Sequence, residues 1–376
     1  MCIGFFYHPL MTKLSICPPD NTAVRIGALV PLTRPGWVEA GRHLLAGLEL
    51  AAREVNDRGG IAGRPLELVV RDTAADPHRA AAAVDELAHL GVTALAGEYH
   101  SVVARAAAVR ADALGLPFLC SSAVLDALTE QPTKWVARLA PAQSRGWRIY
   151  ADFLLSAGHR RIAVAAQQSV YWASGTRVLR DYLPPHGGTL IELDIPALDP
   201  LDVCEKVVAE RATALLLLVG YPDPAVSIVK SVRQDQRLAE ILIGAPAGQP
   251  EFAEWATSLG DNGAAIPFLR YLPEHLTPLG ARVATALRER LAEAPSFVAF
   301  EGYDTVAVLA DILCTHGVDR LRVAESWSRV IVEGTRGTIR FSRPPGISVW
   351  QWAWAPIQVV DRDPAKSDSF RILCEA

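Results

Sequence analysis

Residues 92–123, VTALAGEYHSVVARAAAVRADALGLPFLCSSA, read as a strand, a helix and a second strand in immediate succession. The run Val92-Thr93-Ala94-Leu95-Ala96 is apolar and of strand length. Gly97 breaks it, and Glu98, Tyr99, His100 and Ser101 lead straight into an alanine-rich helical pattern, which puts Ser101 at a helix N-terminus. Gly115 and Pro117 mark the next turn, Phe118-Leu119-Cys120 is a second apolar run, and Ser121-Ser122-Ala123 ends it where another helix is expected to begin. Neighbouring strands of a parallel sheet would then present serine hydroxyls and free backbone N–H groups at one carboxyl edge. Open α/β sheets bind ligands at that edge, and a helix N-terminus there favours an anion or a carbonyl oxygen.

A chain of 376 residues is long for one compact core, so two domains are expected. The 50% hydrophobic and 21% charged residues are ordinary for an α/β protein. A formal charge of -4 argues against a nucleic-acid partner, which needs a basic face. No apolar run approaches the ~20 residues of a membrane span. Cys2, Cys17, Cys120, Cys204, Cys314 and Cys374 are scattered without a C-x-x-C pair, which argues against a zinc ribbon, a redox motif or a disulfide framework. The opening MCIGFFYHP lacks a basic n-region and is cut by His8 and Pro9, a poor signal peptide, and Ile16 before Cys17 spoils a lipoprotein box. Residues 1–23 read as a disordered leader. As written the chain is expected in the cytoplasm, with export expected only if translation starts elsewhere.

Along the chain, Val24-Arg25-Ile26-Gly27-Ala28-Leu29-Val30 reads as the first strand, followed by a helix through 41–57 with Leu44, Leu48, Ala51 and Val55 on one face. Residues 66–72 form the second strand, and Asp76-Pro77 fits an N-cap before a proline in the first helical turn. This alternation is that of a doubly wound parallel sheet. It restarts after residues 138–143, with strands at 161–166, 189–194, 214–219 and 241–244 and helices at 175–182 and 201–211. Beyond Asn262 follow one more strand, helices at 278–292 and 298–315, and a β-rich tail from Thr338 to Val360. Trp350, Trp352 and Trp354 alternate at strand period and are expected on one face.

The order of these segments resembles the type I solute-binding proteins, the periplasmic-binding-protein fold, in the branch of the leucine/isoleucine/valine-binding proteins and the cytosolic amide sensors. The residues that carry the likeness include Asn56-Asp57-Arg58-Gly59-Gly60-Ile61-Ala62-Gly63, Arg71-Asp72-Thr73 with Asp76-Pro77, residues 97–101, Tyr171, Gly220-Tyr221, Gly302-Tyr303-Asp304 and Thr335-Arg336-Gly337-Thr338. The resemblance implies two Rossmann-like α/β lobes with parallel sheets, joined by a three-crossing hinge and closing on a ligand. Lobe 1 would take 24–140 and 263–341, and lobe 2 would take 141–262 and 342–376. It places a carboxylate or amide against Ser101, Tyr99, Ser121, Ser122 and Ala123, with Tyr171 and Tyr221 facing it from the other lobe; Trp37 and Trp172 are further candidates. The partners implied are a small-molecule ligand and either ABC permease subunits or, for a cytoplasmic sensor, a regulatory protein.

One position departs from the family pattern. Amino-acid binders of this kind carry an acid after the 241–244 strand to hold the ligand ammonium, and here the segment is Ala245-Pro246-Ala247-Gly248. Burying an unpaired ammonium costs several kcal/mol. Either Glu98, Asp223 or Asp304 supplies the charge, or the ligand is not an ordinary α-amino acid.

The competing classes lack their signatures. There is no G-x-S-x-G, G-x-x-x-x-G-K-[ST] or H-E-x-x-H, and the glycines at 59, 60 and 63 follow a helix and precede a strand, the reverse of a dinucleotide fingerprint. No catalytic residue, cofactor or metal is therefore expected. The 23 residues before the first strand contain Pro9, Pro18 and Pro19, so no helix-turn-helix and no direct DNA binding are expected.

Overall fold

The computed structural model describes residues 22–376. The expected leader lies outside them apart from Thr22 and Ala23, and so do Cys2 and Cys17.

Val24–Val30 is the pivot of an eight-stranded sheet, and every residue of it but Arg25 is buried, as in a strand covered on both faces. Leu66–Asp72 pairs with it in parallel on one side and Ala94–Gly97 on the other, followed outward by Phe118–Cys120 and Val136–Arg138. Trp350–Trp352 continues the parallel run, and Gly337–Ser342 and Ile331–Gly334 finish the sheet as an antiparallel hairpin. A second, wholly parallel sheet has Thr189–Glu192, Arg161–Ala166, Ala214–Leu218 and Leu242–Gly244 in that order. In both sheets the strand order reverses at the strand that comes first in the chain. The reversal opens a crevice at the carboxyl ends, between Val24–Val30 and Ala94–Gly97 in one sheet and between Arg161–Ala166 and Ala214–Leu218 in the other. A small antiparallel sheet holds Phe268–Arg270, Gln358–Asp363 and Lys366–Glu375.

Local signals explain the framework. Asp76 caps helix Pro77–His89 by accepting from the amides of His78 at 2.7 Å and Arg79 at 3.2 Å. Asn56, at the end of helix Val38–Asp57, clamps the next strand: its Nδ2 donates to the Leu66 carbonyl and its Oδ1 accepts from the Leu66 amide at 2.7 Å. Gly60 turns the chain between them at φ +72°, where a Cβ would meet the Arg64 carbonyl oxygen at 2.0 Å. The N-x-x-G-G-I-x-G element is thus a helix-to-strand clamp, not a ligand loop.

The chain leaves or rejoins the large sheet after Arg138, after Arg270 and after Trp352, three passages in all. Two of them fall away from the expected boundaries. Phe268–Arg270, assigned to lobe 1 by sequence, pairs with Gln358–Asp363, and Trp350–Trp352, assigned to lobe 2, pairs with Val136–Arg138. Both are three-residue strands set beside a passage, too short to show a period. The alternation of tail tryptophans also ends early: Trp352 is buried, whereas Trp354 sits in a turn and is 80% exposed.

No helix begins at Ser121. Residues 121–125 run on without regular structure because their backbone is taken elsewhere: the buried guanidinium of Arg138 donates to the carbonyls of Val124 at 2.9 Å and Leu125 at 2.5 Å. The helix expected at 175–182 starts sooner, at Val170, capped by the Ser169 hydroxyl, which accepts from the Trp172 amide at 3.0 Å. No described helix is long and apolar enough to cross a membrane. Cys120, Cys204, Cys314 and Cys374 are free, and burial pushes the Cys120 thiol up to about 12.

Candidate functional site

Both crevices open on one cavity of about 330 Å³. From the large sheet, the loop after Val24–Val30 brings Trp37, and the chain after Ala94–Gly97 brings Tyr99, His100 and Ser101. From the second sheet, the chain after Arg161–Ala166 brings Tyr171 and Trp172, and that after Ala214–Leu218 brings Gly220 and Tyr221. A wider cleft of about 730 Å³ lies to one side, edged by Arg105, Arg148 and Arg177. The smaller cavity is the candidate site because the strand-order reversals of both sheets converge on it.

Ser101 is the first residue of helix Ser101–Ala113 and is 8% exposed. Its hydroxyl oxygen accepts from the amides of Val124 at 3.2 Å and Leu125 at 3.3 Å, so it fastens the 121–125 segment and keeps its own proton to give. The amides before it are spent on Glu98, which accepts from Tyr99 N at 2.8 Å and His100 N at 3.0 Å and takes the Thr73 hydroxyl at 2.7 Å. The first-turn amides from Ser101 on have no helical acceptor and lie at the cavity wall, with the positive end of the helix dipole. Burial pushes the phenols of Tyr99, Tyr171 and Tyr271 above their ordinary value, so all three stay protonated.

Of the residues expected from sequence, Tyr99, Ser101, Ser122, Tyr171 and Tyr221 line the cavity, as do Trp37 and Trp172. Ser121 and Ala123 do not. Ser121 turns inward to the Thr305 hydroxyl at 2.9 Å, and both residues are fully buried behind the wall. Ala247 lies in the lining. None of the three substitutes for an ammonium partner reaches it. Glu98 is held by its own loop, Asp304 accepts from Thr335 and Arg336, and Asp223 is exposed. The lining carboxylate is Glu254, which faces Arg34 at 3.6 Å with both side chains substantially exposed. Sequence reasoning missed Gln249, which follows strand Leu242–Gly244, Tyr271, which follows Phe268–Arg270, and Phe297, which opens helix Phe297–His316; only Gln249, two residues past Ala247, had a local cue.

Direct contacts join the two halves. The Trp37 and Tyr221 rings stack 5.5 Å apart at 12°. Glu39, in the first turn of Val38–Asp57, accepts from the amides of Ala253 at 2.8 Å and Glu254 at 3.3 Å, which open helix Ala253–Leu259. Glu251 returns the contact by accepting from Phe297 N, at the start of helix Phe297–His316, at 3.1 Å. Glu39, His43 and Glu293 have the spacing of metal ligands. Their atoms are engaged otherwise: Ser296 N donates to His43 Nδ1 at 3.0 Å, burial holds the ring neutral by lowering its pKa, and the remaining proton on Nε2 points to Glu293 at 3.0 Å. The donor set fits a hydrogen-bonded chain rather than a metal.

The sequence profile of the periplasmic binding protein family matches residues 23–355. The chain is similar to the Leu/Ile/Val-binding protein homolog 7 of Brucella melitensis, 21% identical and covering 86% of this chain and 85% of that protein. Among solved structures it is similar to a leucine-binding protein, LivK, of Thermotoga maritima, with a TM-score of 0.81 at 20% identity over 94% of this chain and 98% of that one. It is also similar to a solute-binding protein of an ABC transporter from R. palustris in complex with benzoate, with a TM-score of 0.78 at 17% identity over 94% of this chain and 96% of that one. At such identities the structural likeness is one of fold.

Proposed function

The chain belongs to the periplasmic binding protein family, and from that premise we propose that it binds a small carboxylate or amide between its two parallel sheets as the substrate-binding component of an ABC transporter. The observation that carries this reading is that the Ser101 helix start, Tyr171 and Tyr221 all line one cavity of about 330 Å³ between the two sheets. A hydroxyl proton and first-turn amides solvate a carboxylate or carbonyl oxygen, while ring faces exclude water from the rest of the ligand. Leucine and benzoate, named for two structural neighbours, share a carboxylate and differ at the other end. The large sheet and the second sheet act as the two lobes, and bending at the passages after Arg138, Arg270 and Trp352 opens and closes the cleft.

The test is a thermal-shift panel of amino acids, small carboxylates and amides against the full chain. A ligand at 100 times its Kd adds ~2.7 kcal/mol of stability, a shift of several degrees. A panel without any shift overturns the reading.

A further inference from the structure

Resting on that reading, we infer that Arg138 is the positioning residue that turns the cavity toward an anion: its buried guanidinium acts on the Ser101 hydroxyl through the peptide group between Val124 and Leu125, and so sets a preference for a carboxylate over the matching amide.

The Arg138 side chain ends strand Val136–Arg138 and is fully buried. Nη1 donates to the carbonyls of Val124 at 2.9 Å and Leu125 at 2.5 Å, Nη2 donates to Gln351 Oε1, and Nε has no partner. All of these acceptors are neutral. Burial lowers the pKa, opposed by the charge of Asp126, and an arginine so held stays charged. Asp126 forms no ion pair with it among the described residues and accepts from the Ser144 amide at 3.0 Å. Arg336, which donates to the Tyr271 carbonyl, instead stands between Glu301 and Asp304. A buried cation without a counter-charge is costly until an anion comes near.

One peptide group joins that charge to the site. Its oxygen, on Val124, takes the Arg138 proton, and its N–H, on Leu125, donates to Ser101 Oγ at 3.3 Å. A peptide pulled at its oxygen donates more strongly at its nitrogen, and a hydroxyl that receives such a bond gives its own proton more readily. Ser101 lines the cavity, so the positive charge is felt there.

The other cationic groups of the lining are spent. Arg34 is exposed and faces Glu254 at 3.6 Å. His100 uses both ring nitrogens, Nδ1 toward Glu98 at 3.3 Å and Nε2 as acceptor from the Trp37 amide at 3.4 Å. Glu98, the buried acid of the same edge, also takes the Thr73 hydroxyl and the amides of Tyr99 and His100. The reach of Arg138 shows at Tyr271, another lining residue, where burial raises the phenol and the Arg138 charge acts against that rise.

Isothermal titration of the full chain with three pairs, benzoate and benzamide, isocaproate and isocaproamide, leucine and leucinamide, reads the preference directly, since within each pair the charge of one end changes and the shape hardly does. The wild type is expected to bind at least one of the carboxylates, about tenfold or more tightly than its amide. Gln351→Glu keeps the shape and the acceptor for Nη2 while giving Arg138 a counter-charge outside the cavity. It is expected to lower the carboxylate-to-amide ratio about tenfold, the size of one charge interaction at short range inside a protein. Arg138→Gln removes the charge and keeps a donor for one carbonyl, and it is expected to lower the ratio likewise. A merely structural role would weaken both members of a pair alike, so an unchanged ratio in either variant, once circular dichroism shows it folded, overturns the inference. A wild type that binds an amide as tightly as its carboxylate overturns it without any variant and leaves the solute-binding reading intact. No heat from any of the six compounds overturns both.

Discussion

Trp37 and Tyr221 stack with their rings 5.5 Å apart and only 12° from parallel, although one follows the first strand of the large sheet and the other the third strand of the second sheet. Trp37 also meets Tyr99 edge-on at 5.9 Å and Phe252 at 4.9 Å, so one indole joins side chains from both halves of the cleft. If the cleft opens as proposed, this contact is lost, and its energy then belongs to the closed state.

Trp37→Ala should therefore shift the free protein toward open forms. An aromatic pair contributes about 0.5–1.5 kcal/mol beyond its buried area, and the indole has three such neighbours. Small-angle scattering should show a larger radius of gyration for the variant without ligand, and saturating ligand should restore the wild-type value. Equal radii in both proteins would mean that the stack does not bias closure.

Ser101→Ala removes the acceptor of two amides, Val124 N and Leu125 N, together with the hydroxyl that faces the cavity. Stranding a buried donor costs about 1–3 kcal/mol. The variant should melt several degrees lower and still fold, since Arg138 continues to hold the carbonyls of Val124 and Leu125. Affinity for any carboxylate that shifts the wild-type melt should fall by about tenfold or more. Unchanged affinity would take Ser101 out of the ligand site and leave it a loop fastener.

What could be read from sequence divides along the same line. The strand end at Gly97 and the helix start at Ser101 were legible because both are local patterns, and the sheet edge follows from them. Ser121 and Ala123 were misplaced because Ser-Ser-Ala looks the same before a helix as before an irregular segment. What decides is a guanidinium, Arg138, far enough along the chain to leave no local trace. Tyr271 reaches the wall through the passage after Arg270, and Phe297 as the first residue of helix Phe297–His316, placements that no period in the sequence announces. The lobe boundaries slipped for a similar reason: Phe268–Arg270 and Trp350–Trp352 belong to the sheets they pair with, and three residues carry no readable alternation.

Helices Val38–Asp57 and Phe297–His316 touch through glycine. A Cβ on Gly47 would lie 1.9 Å from the Ala299 carbonyl oxygen, and one on Gly302 would lie 2.4 Å from that of Leu44. Backbone cannot yield as a flexible side chain can, so the helices must part. Gly47→Val should cost about 3 kcal/mol or more, at or beyond the upper end of ordinary overpacking. Denaturant melts should show a lower midpoint with the slope retained, and a wild-type midpoint would mean the helices have room to slide.

Arg336 is fully buried between two carboxylates, Glu301 at 3.2 Å and Asp304 at 3.1 Å. One guanidinium cannot balance both charges. Asp304 also accepts from the amide and hydroxyl of Thr335, while the second oxygen of Glu301 has no hydrogen bond of good geometry, only the nearby Ser122 hydroxyl, which acts to lower its pKa. Glu301 is accordingly the better placed to keep the proton: burial pushes its pKa up to about 7, against the opposing pull of Arg336. A folded value above the unfolded one means that the native state holds the extra proton between about pH 4.5 and 7. The stability this contributes is fully present below that window and is lost as pH rises through it, on the order of 3 kcal/mol at most. Asp304, also raised by burial, acts in the same direction, while His43, lowered by burial, opposes it at the acid end. Glu301→Gln keeps the shape and removes the surplus charge, so it should flatten the fall in melting temperature from pH 5 to 8 and melt above wild type at pH 8. Parallel pH profiles for the two proteins would show that Glu301 is ionised throughout and that Arg336 satisfies both carboxylates.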